Sequence, residues 1–81
     1  MVNTVRAFRS KAELHRDEVL EKAQKMLEQG KPTNEVLQFL AHTLTNKLTH
    51  EPTEALHMAG KEGKNELIDA AHILLNIPTE E

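Results

Sequence analysis

Several residue types on which small proteins depend are scarce or missing in this sequence. Its 81 residues include no cysteine, no tryptophan, no tyrosine and two phenylalanines. The lack of cysteine excludes disulfides, thiolate metal sites and cysteine nucleophiles from these residues. A chain this short buries only about 60% of its unfolded surface. With so few aromatic side chains to fill the core, we expect association with another chain to contribute to stability.

Long apolar runs are absent as well. The sequence therefore predicts no transmembrane helix and no signal peptide, and we expect a cytoplasmic protein without a membrane partner. The net charge is −3, with eight Lys/Arg and six Asp/Glu in residues 1–48 but two and seven in residues 49–81. An independent nucleic-acid-binding domain would instead be strongly basic on one face.

The residues that are plentiful favour helices. From Val5 to Gln29 the chain is rich in strong helix formers and contains no helix breaker. Glu18–Lys22 and Glu21–Lys25 are i,i+4 pairs in the favourable acid-first order. This pattern predicts a first helix of roughly seven turns. At about 100° per residue its apolar stripe comprises Val5, Phe8, Ala12, Val19, Ala23 and Met26.

A second helix is predicted from about residue 35 to 49. Gly30 suits the position after the end of the first helix, and Thr33 or Asn34 is available as the N-cap of the second. The predicted apolar stripe comprises Val36, Leu37, Leu40, Ala41, Leu44 and Leu48.

Two more short helices are predicted, over about 52–59 and 66–76. Pro52 suits a first helical turn, the segment 60–63 reads as a flexible break, and Asn65 suits an N-cap. The last helix is apolar around most of its circumference, so we expect it to be buried on several sides and to end at Pro78. The sequence thus predicts a single all-α domain over 1–81, a small helical bundle with one long N-terminal helix and three shorter ones, with residues 78–81 as a disordered tail.

The five histidines raise the possibility of a metal site. Glu54-x-x-His57 and Asp69-x-x-His72 have the carboxylate-x-x-His spacing of di-iron bundles. Both pairs project away from the apolar residues of their helices, so we predict surface histidines and no metal. His15, on the first apolar stripe, is expected to be packed and hydrogen-bonded, and His42 to be solvated.

No constellation for catalysis is evident either. Ser10 and the threonines lack His–carboxylate partners at suitable spacing, and Gly60-x-x-Gly63 lacks the pattern of a phosphate-binding loop. We therefore predict no catalytic, cofactor-binding or metal-binding residue in this chain.

Three segments resemble one known family. Thr45-Asn46-Lys47-Leu48-Thr49-His50-Glu51-Pro52-Thr53 resembles the N-K-L-x-H-x-P-T junction in the C-terminal dimerisation domain of glutamyl-tRNA reductase. Val5-Arg6-Ala7-Phe8-Arg9 resembles the entry to that domain, and Asp17–Ala23 its continuation. The resemblance covers about residues 4–77. It departs at His57-Met58-Ala59, where the family more often has an Arg-rich run.

The resemblance implies that this chain is one domain of a larger oxidoreductase. The parent enzyme would reduce glutamyl-tRNA to glutamate-1-semialdehyde with NADPH in tetrapyrrole (porphyrin) biosynthesis. Its catalytic cysteine, its NADPH site and most of its tRNA contacts would lie in other domains. The family is a V-shaped homodimer joined through this domain at the end of a long spinal helix.

Specific residues follow from combining the pattern with the resemblance. We expect a dimer interface that includes Leu14 and Phe39, which lie off their stripes, together with Ile68, Ile73 and Leu75. In the junction motif of Asn46, Lys47, His50 and Pro52, a structural role is favoured for His50. For Asn46 and Lys47 a structural role and a surface facing tRNA or the catalytic domains are equally open.

Two other interpretations compete with the enzyme domain. One is a free-standing helical module for protein–protein interaction. The other is a carboxylate-bridged metal bundle, which the orientation of the carboxylate–histidine pairs disfavours. The cluster Arg6, Arg9, Lys11 and Arg16 could contact a phosphate backbone, but a solvated helix face is the preferred interpretation.

Overall fold

A computed structural model describes residues 2–78 of the chain as three α-helices. They are α1 (Val2–Glu28), α2 (Thr33–Lys61) and α3 (Asn65–Leu74). Residues 2–78 contain no strand, so the all-α prediction and the long first helix are confirmed. The chain divides into two compact units, unit 1 (Met1–Thr49) and unit 2 (His50–Glu81). Of the predicted disordered tail, residues 79–81 lie outside the described residues.

The second and third predicted helices are one helix, which is a correction. α2 runs through the junction with Pro52 inside it. Proline removes one helical hydrogen bond and crowds the preceding turn, but its fixed φ is compatible with a helix. The Thr49 hydroxyl donates to the Thr45 carbonyl at 2.9 Å, within regular helix. The structure therefore has two long helices and one short one.

α1 and α2 end in the same way, with a glycine in the left-handed region. Gly30 has φ +85° and Gly63 has φ +69°. After α2, the Gly63 amide donates to the Gly60 carbonyl at 3.3 Å and the Lys64 amide to the Ala59 carbonyl at 2.8 Å. This bond pair is the Schellman motif, which satisfies carbonyls left open at a helix end. The predicted role of Gly30 is confirmed, whereas the predicted break at 60–63 is an ordered helix end.

The ends of α3 also differ from the prediction. Asn76 adopts φ +55°, and its amide donates to the Ile73 carbonyl while the Ile77 amide donates to the His72 carbonyl. Asparagine tolerates this conformation better than most residues, so the helix stops before Pro78 is reached. At the other end Asn65 is the first helical residue, and Lys64 occupies the cap without a side-chain hydrogen bond.

Unit 1 packs α1 against the first part of α2. Val19, Ala23 and Val36 are its buried residues. The α2 face that packs is rotated from the predicted stripe, because Leu37 is 58% exposed. Half-buried positions on this face are Phe39, Leu40, Thr43, Leu44 and Lys47. The change brings Phe39, predicted to lie off the stripe, onto the edge of the packed surface.

The predicted stripe of α1 is covered over only part of its length. Val5 is 57% exposed and Phe8 is 71% exposed. Within unit 1 the partner of α1 is the α2 segment 33–49, which is shorter than α1 by about ten residues. An antiparallel partner of that length cannot cover the first turns of α1.

Unit 2 packs α3 against the last part of α2 around Ala59, which is 2% exposed. Leu56, Ile68, Ala70, Ala71 and His72 are half-buried. No residue of α3 itself is buried, so the prediction that this helix is buried on several sides is wrong for the single chain. One partner helix covers only one side of a helix that is apolar almost all round.

Candidate functional site

The most distinctive surface feature of unit 2 is an apolar groove between α2 and α3. Its volume is about 220 Å³. It is lined by Pro52, Ala55, Leu56, Leu67, Ala70, Ala71, Leu74 and Leu75. Three alanines form small positions between leucines, and no lining side chain is charged. This feature is called the α2–α3 groove below.

Five large apolar side chains of residues 67–77 are exposed, and three of them, Leu67, Leu74 and Leu75, line the α2–α3 groove. Leu74 is 83% exposed and Ile73 is 80% exposed, the highest values among the large apolar residues of unit 2. Leu67, Leu75 and Ile77 are each about half exposed. Isolated exposed apolar residues are normal, but a contiguous patch of them marks an interaction surface.

The structure places the five predicted interface residues in two environments. Leu14 in unit 1 and Ile73 in unit 2 are largely exposed, and Leu75 is 50% exposed. Phe39 and Ile68 are half-buried within their own units. Phe39 also borders an open depression on α2 that includes Gln38 and His42.

The four junction residues all lie on α2. In unit 1, Asn46 is exposed, and the Lys47 Nζ lies 3.5 Å from the Glu18 Oε1 of α1. In unit 2, the exposed His50 Nε2 lies 3.3 Å from the Glu54 Oε1 one turn later. Lys47 is thus part of the packing between two helices. Because α2 is continuous here, His50 does not cap a helix end, and its side chain instead lies beside Glu54 on the same helix.

Glu18 differs from its predicted pairing. Instead of Lys22, it approaches Lys47 and also His15, whose Nδ1 lies 3.6 Å from the Glu18 Oε1. The His15 Nδ1 is covered from solvent and has no hydrogen-bond partner, because 3.6 Å is too long for one. His15 is packed as predicted, but the predicted hydrogen bond is not formed. Glu21–Lys25 forms as predicted, at 3.6 Å.

His42 and His57 are exposed, whereas His72 is half-buried. The His72 Nδ1 lies 3.2 Å from the Ile77 carbonyl oxygen. It borders a second small cavity of about 180 Å³ with Leu56 and Ile68. His72 therefore belongs to the packing of unit 2 and is not the surface histidine that the sequence predicted.

The described residues offer little for metal or phosphate chemistry. Among residues 2–78, no group of three or more His, Asp or Glu side chains is arranged to hold a metal ion. In the basic cluster, Arg9 pairs with Glu13 at 3.7 Å. A hydrogen bond to Asp17, aided by Coulombic attraction, raises the pKa of Arg16 above its ordinary value. These carboxylates offset part of the charge that a phosphate backbone would meet.

Comparison with known proteins agrees with the resemblance in the sequence. Residues 1–77 match the family described as the dimerisation domain of glutamyl-tRNAGlu reductase. The chain belongs to this family. Glutamyl-tRNA reductase of Stenotrophomonas maltophilia (strain K279a) is 47% identical over 70 residues, which are 86% of this chain and 16% of the relative. That of Hahella chejuensis is 42% identical over 79 residues, which are 98% of this chain and 19% of the relative. No solved structure matches.

The dimerisation domain thus spans less than a fifth of the length of the curated relatives it matches. Among its described residues, no helix is both long enough and apolar enough to cross a bilayer. The groove residues Ala55, Ala70 and Leu74 were not singled out by sequence reasoning. The available signal was the i, i+3, i+7 spacing of Leu67, Ala70 and Leu74, which places them on one helical stripe.

Proposed function

We propose that this chain holds together two copies of a longer glutamyl-tRNA reductase. The observation that carries the proposal is the uncovered apolar surface of unit 2, where Ile73 and Leu74 are each at least 80% exposed in the single chain. The family description names dimerisation, which supports a second copy as the cover. We propose as interface residues Leu14 and Phe39 in unit 1, and Ile68, Ile73 and Leu75 in unit 2.

The parent enzyme would reduce glutamyl-tRNA to glutamate-1-semialdehyde with NADPH in the cytoplasm. The name of the relatives, glutamyl-tRNA reductase, supports the reductase. The semialdehyde product, NADPH and the cytoplasm are what the sequence resemblance implies. NADPH and most of the tRNA would be bound outside this chain, which forms one domain over residues 1–81. Purified chain should therefore not oxidise NADPH in the presence of glutamyl-tRNA. Oxidation that scales with the chain's concentration would contradict this assignment.

Light scattering at tens of micromolar protein tests the dimer directly. We expect a mass twice that of one chain, and a monomer at every accessible concentration would refute the proposal. The Leu14→Asp variant tests whether unit 1 contributes to the dimer interface. Leu14 is 61% exposed, so the substitution leaves the monomer fold intact, whereas Phe39→Asp would also disturb the packed face of α2.

A free-standing interaction module remains the competing function. A coding sequence in which a dinucleotide-binding domain precedes residue 3 in frame would support the enzyme domain. A pull-down in which this chain binds an unrelated protein but not itself would favour the module.

A further inference from the structure

We propose that α2 is hinged at its proline. In solution the helix bends and transiently opens over residues 48–52, called the hinge below, while the helical segments before and after the hinge stay intact. A hinge of this kind belongs to the backbone of a single chain. It therefore goes beyond the proposed function and is present in a monomer as well as in a dimer.

Proline weakens the backbone hydrogen bonding of the hinge. Pro52 lies inside α2 and has no N–H, so the Leu48 carbonyl receives no bond from the residue four positions later. The proline ring also crowds the preceding turn, and Glu51, as the residue before it, is biased away from the helical region. A proline inside a helix costs about 3 kcal/mol. Opening the hinge therefore costs less than opening a turn of the same helix that contains no proline.

The Thr49 side chain weakens the same side of the helix. Its hydroxyl donates to the Thr45 carbonyl at 2.9 Å and lies 3.5 Å from the Asn46 carbonyl oxygen. A threonine that bonds to the carbonyl four residues earlier competes with the backbone amide and often bends the helix. Thr45 and Leu48 are three residues apart and thus lie on one side of α2. Two perturbations on one side favour a bend, and sharp bends of helices occur at prolines.

Little side-chain packing supports the hinge. All residues from 48 to 55 are exposed, whereas Lys47 before them and Leu56 after them are half-buried. Unit 1 ends at Thr49 and unit 2 begins at His50, so the core of neither unit extends across the hinge. Most helix stability in proteins comes from tertiary packing. The hinge is therefore a weakly supported part of α2.

An ion pair spans the proline but adds little. The His50 Nε2 lies 3.3 Å from the Glu54 Oε1, and these side chains are 70% and 69% exposed. Exposed ion pairs contribute little to stability because water screens them. This pair does not replace the missing backbone bond.

Amide hydrogen exchange of the full chain, followed by NMR, tests the hinge residue by residue. The reporter amides are those of Glu51, Thr53 and Glu54. Relative to intrinsic rates, we expect them to exchange at least about 10-fold faster than the Leu44 amide of the same helix. Low urea should hardly change their rates, because a local opening exposes little surface. Pro52→Ala restores the missing amide and should slow the reporter amides at least about 10-fold.

Gly60→Ala is the matched control. It replaces another helix-weakening residue inside α2 and should also stabilise the protein, but it leaves Pro52 in place. We therefore expect the reporter amides to exchange in Gly60→Ala as they do in wild type, since a local opening does not depend on global stability.

The second test uses the absence of native cysteine. Spin labels at His42→Cys and His57→Cys lie on either side of the hinge. Labels at Ser10→Cys and Lys25→Cys lie on α1, which contains no proline. All four positions are exposed, and each pair is fifteen residues apart, or about 22 Å along a straight helix. Double electron–electron resonance measures both distances, with excess unlabelled chain to remove distances between copies. We expect a broader distribution for the α2 pair, which Pro52→Ala narrows to that of the α1 pair.

Uniform protection along wild-type α2, or equally narrow distributions for the two label pairs, would overturn the hinge. So would a Gly60→Ala variant that slows the reporter amides as much as Pro52→Ala does, because exchange would then report global unfolding. Fast exchange that only Pro52→Ala slows, together with a broad α2 distribution, supports the hinge. A monomeric wild type refutes the proposed function and leaves the hinge standing, whereas a rigid α2 in a dimer does the reverse.

Discussion

At the scale of single residues, the core of unit 1 depends on a few side chains of modest size. Val19 has no exposed surface and Ala23 is 3% exposed. Their neighbours on the packed faces are only half-buried. Shortening the Val19 side chain therefore removes a large share of the fully buried apolar surface of this unit.

Val19→Ala should lower the free energy of unfolding by about 1.5–3 kcal/mol, because it removes buried methyl groups and leaves a cavity. Leu20→Ala is the matched control, since Leu20 is the next residue on α1 but is 41% exposed. Urea unfolding at one fixed protein concentration measures both. An equal loss for the two variants would contradict the packing of α1 described above.

Substituting alanine for each of the two glycines near the end of α2 should change the stability of the protein in opposite directions. Gly60 lies inside the helix and has open space around an added Cβ, whereas Gly63 has φ +69°. Gly60→Ala should stabilise the protein by about 0.5–1 kcal/mol. Gly63→Ala should destabilise it by about 1–2 kcal/mol, because the Cβ of an L-residue crowds the backbone in the left-handed region.

Thermal or urea unfolding of both glycine variants measures the difference. If Gly63→Ala were as stable as Gly60→Ala, the Schellman end of α2 would not form in solution.

At the scale of elements, α2 is the helix that sequence reasoning divided. The run Thr49-His50-Glu51-Pro52 resembles a junction, and the residue before a proline is biased against the helical region. α2 nevertheless continues through these residues, because the fixed φ of proline is compatible with a helix and one backbone hydrogen bond is lost. The packing of apolar residues on each side offsets that loss. Val36 in unit 1 and Ala59 in unit 2 are each almost fully buried.

Pro52→Ala should therefore stabilise the protein. It restores the amide that proline removes from the helix interior, and we expect a gain of about 1–3 kcal/mol. Ala55→Pro, one turn later, should instead lose about 3 kcal/mol or more. Urea unfolding and helical circular dichroism measure both changes. A destabilising Pro52→Ala would mean that the helix is interrupted at the junction in solution.

The end of α3 differs from the prediction in the opposite direction: this helix is shorter than the sequence predicts, whereas α2 is longer. The sequence predicts that the helix ends at Pro78, but α3 ends earlier, at Leu74. Asn76 in the left-handed region and the contact between His72 and the Ile77 carbonyl close it. Asparagine tolerates the left-handed region but also occurs within helices at a modest cost, so its identity alone does not indicate which conformation it adopts.

At the scale of the whole molecule, each unit leaves apolar side chains uncovered. In unit 1 these lie on the first turns of α1, where Phe8 is 71% exposed. In unit 2 they lie on α3, where Leu74 is 83% exposed. Coverage by a second copy would link folding to association.

The apparent thermal midpoint should then rise with protein concentration, since association stabilises only the folded state. A hundredfold increase in concentration, followed by circular dichroism, tests this. Leu74→Lys should show a smaller rise than wild type. A wild-type midpoint independent of concentration across the range in which light scattering detects the dimer would show that association and folding are separate.

The sequence alone determined the helical class, the length of α1, its end at Gly30 and the family. These depend on local propensity, on apolar periodicity and on the residues Asn46 to Pro52, all of which are readable along the chain. The tertiary structure alone decided the continuity of α2, the packed face on which Phe39 and Lys47 lie, and the partners of Glu18. It also decided that α3 is covered on one side only. A stripe read from periodicity fixes which residues share a face, but only the partner helix fixes how much of that face is buried.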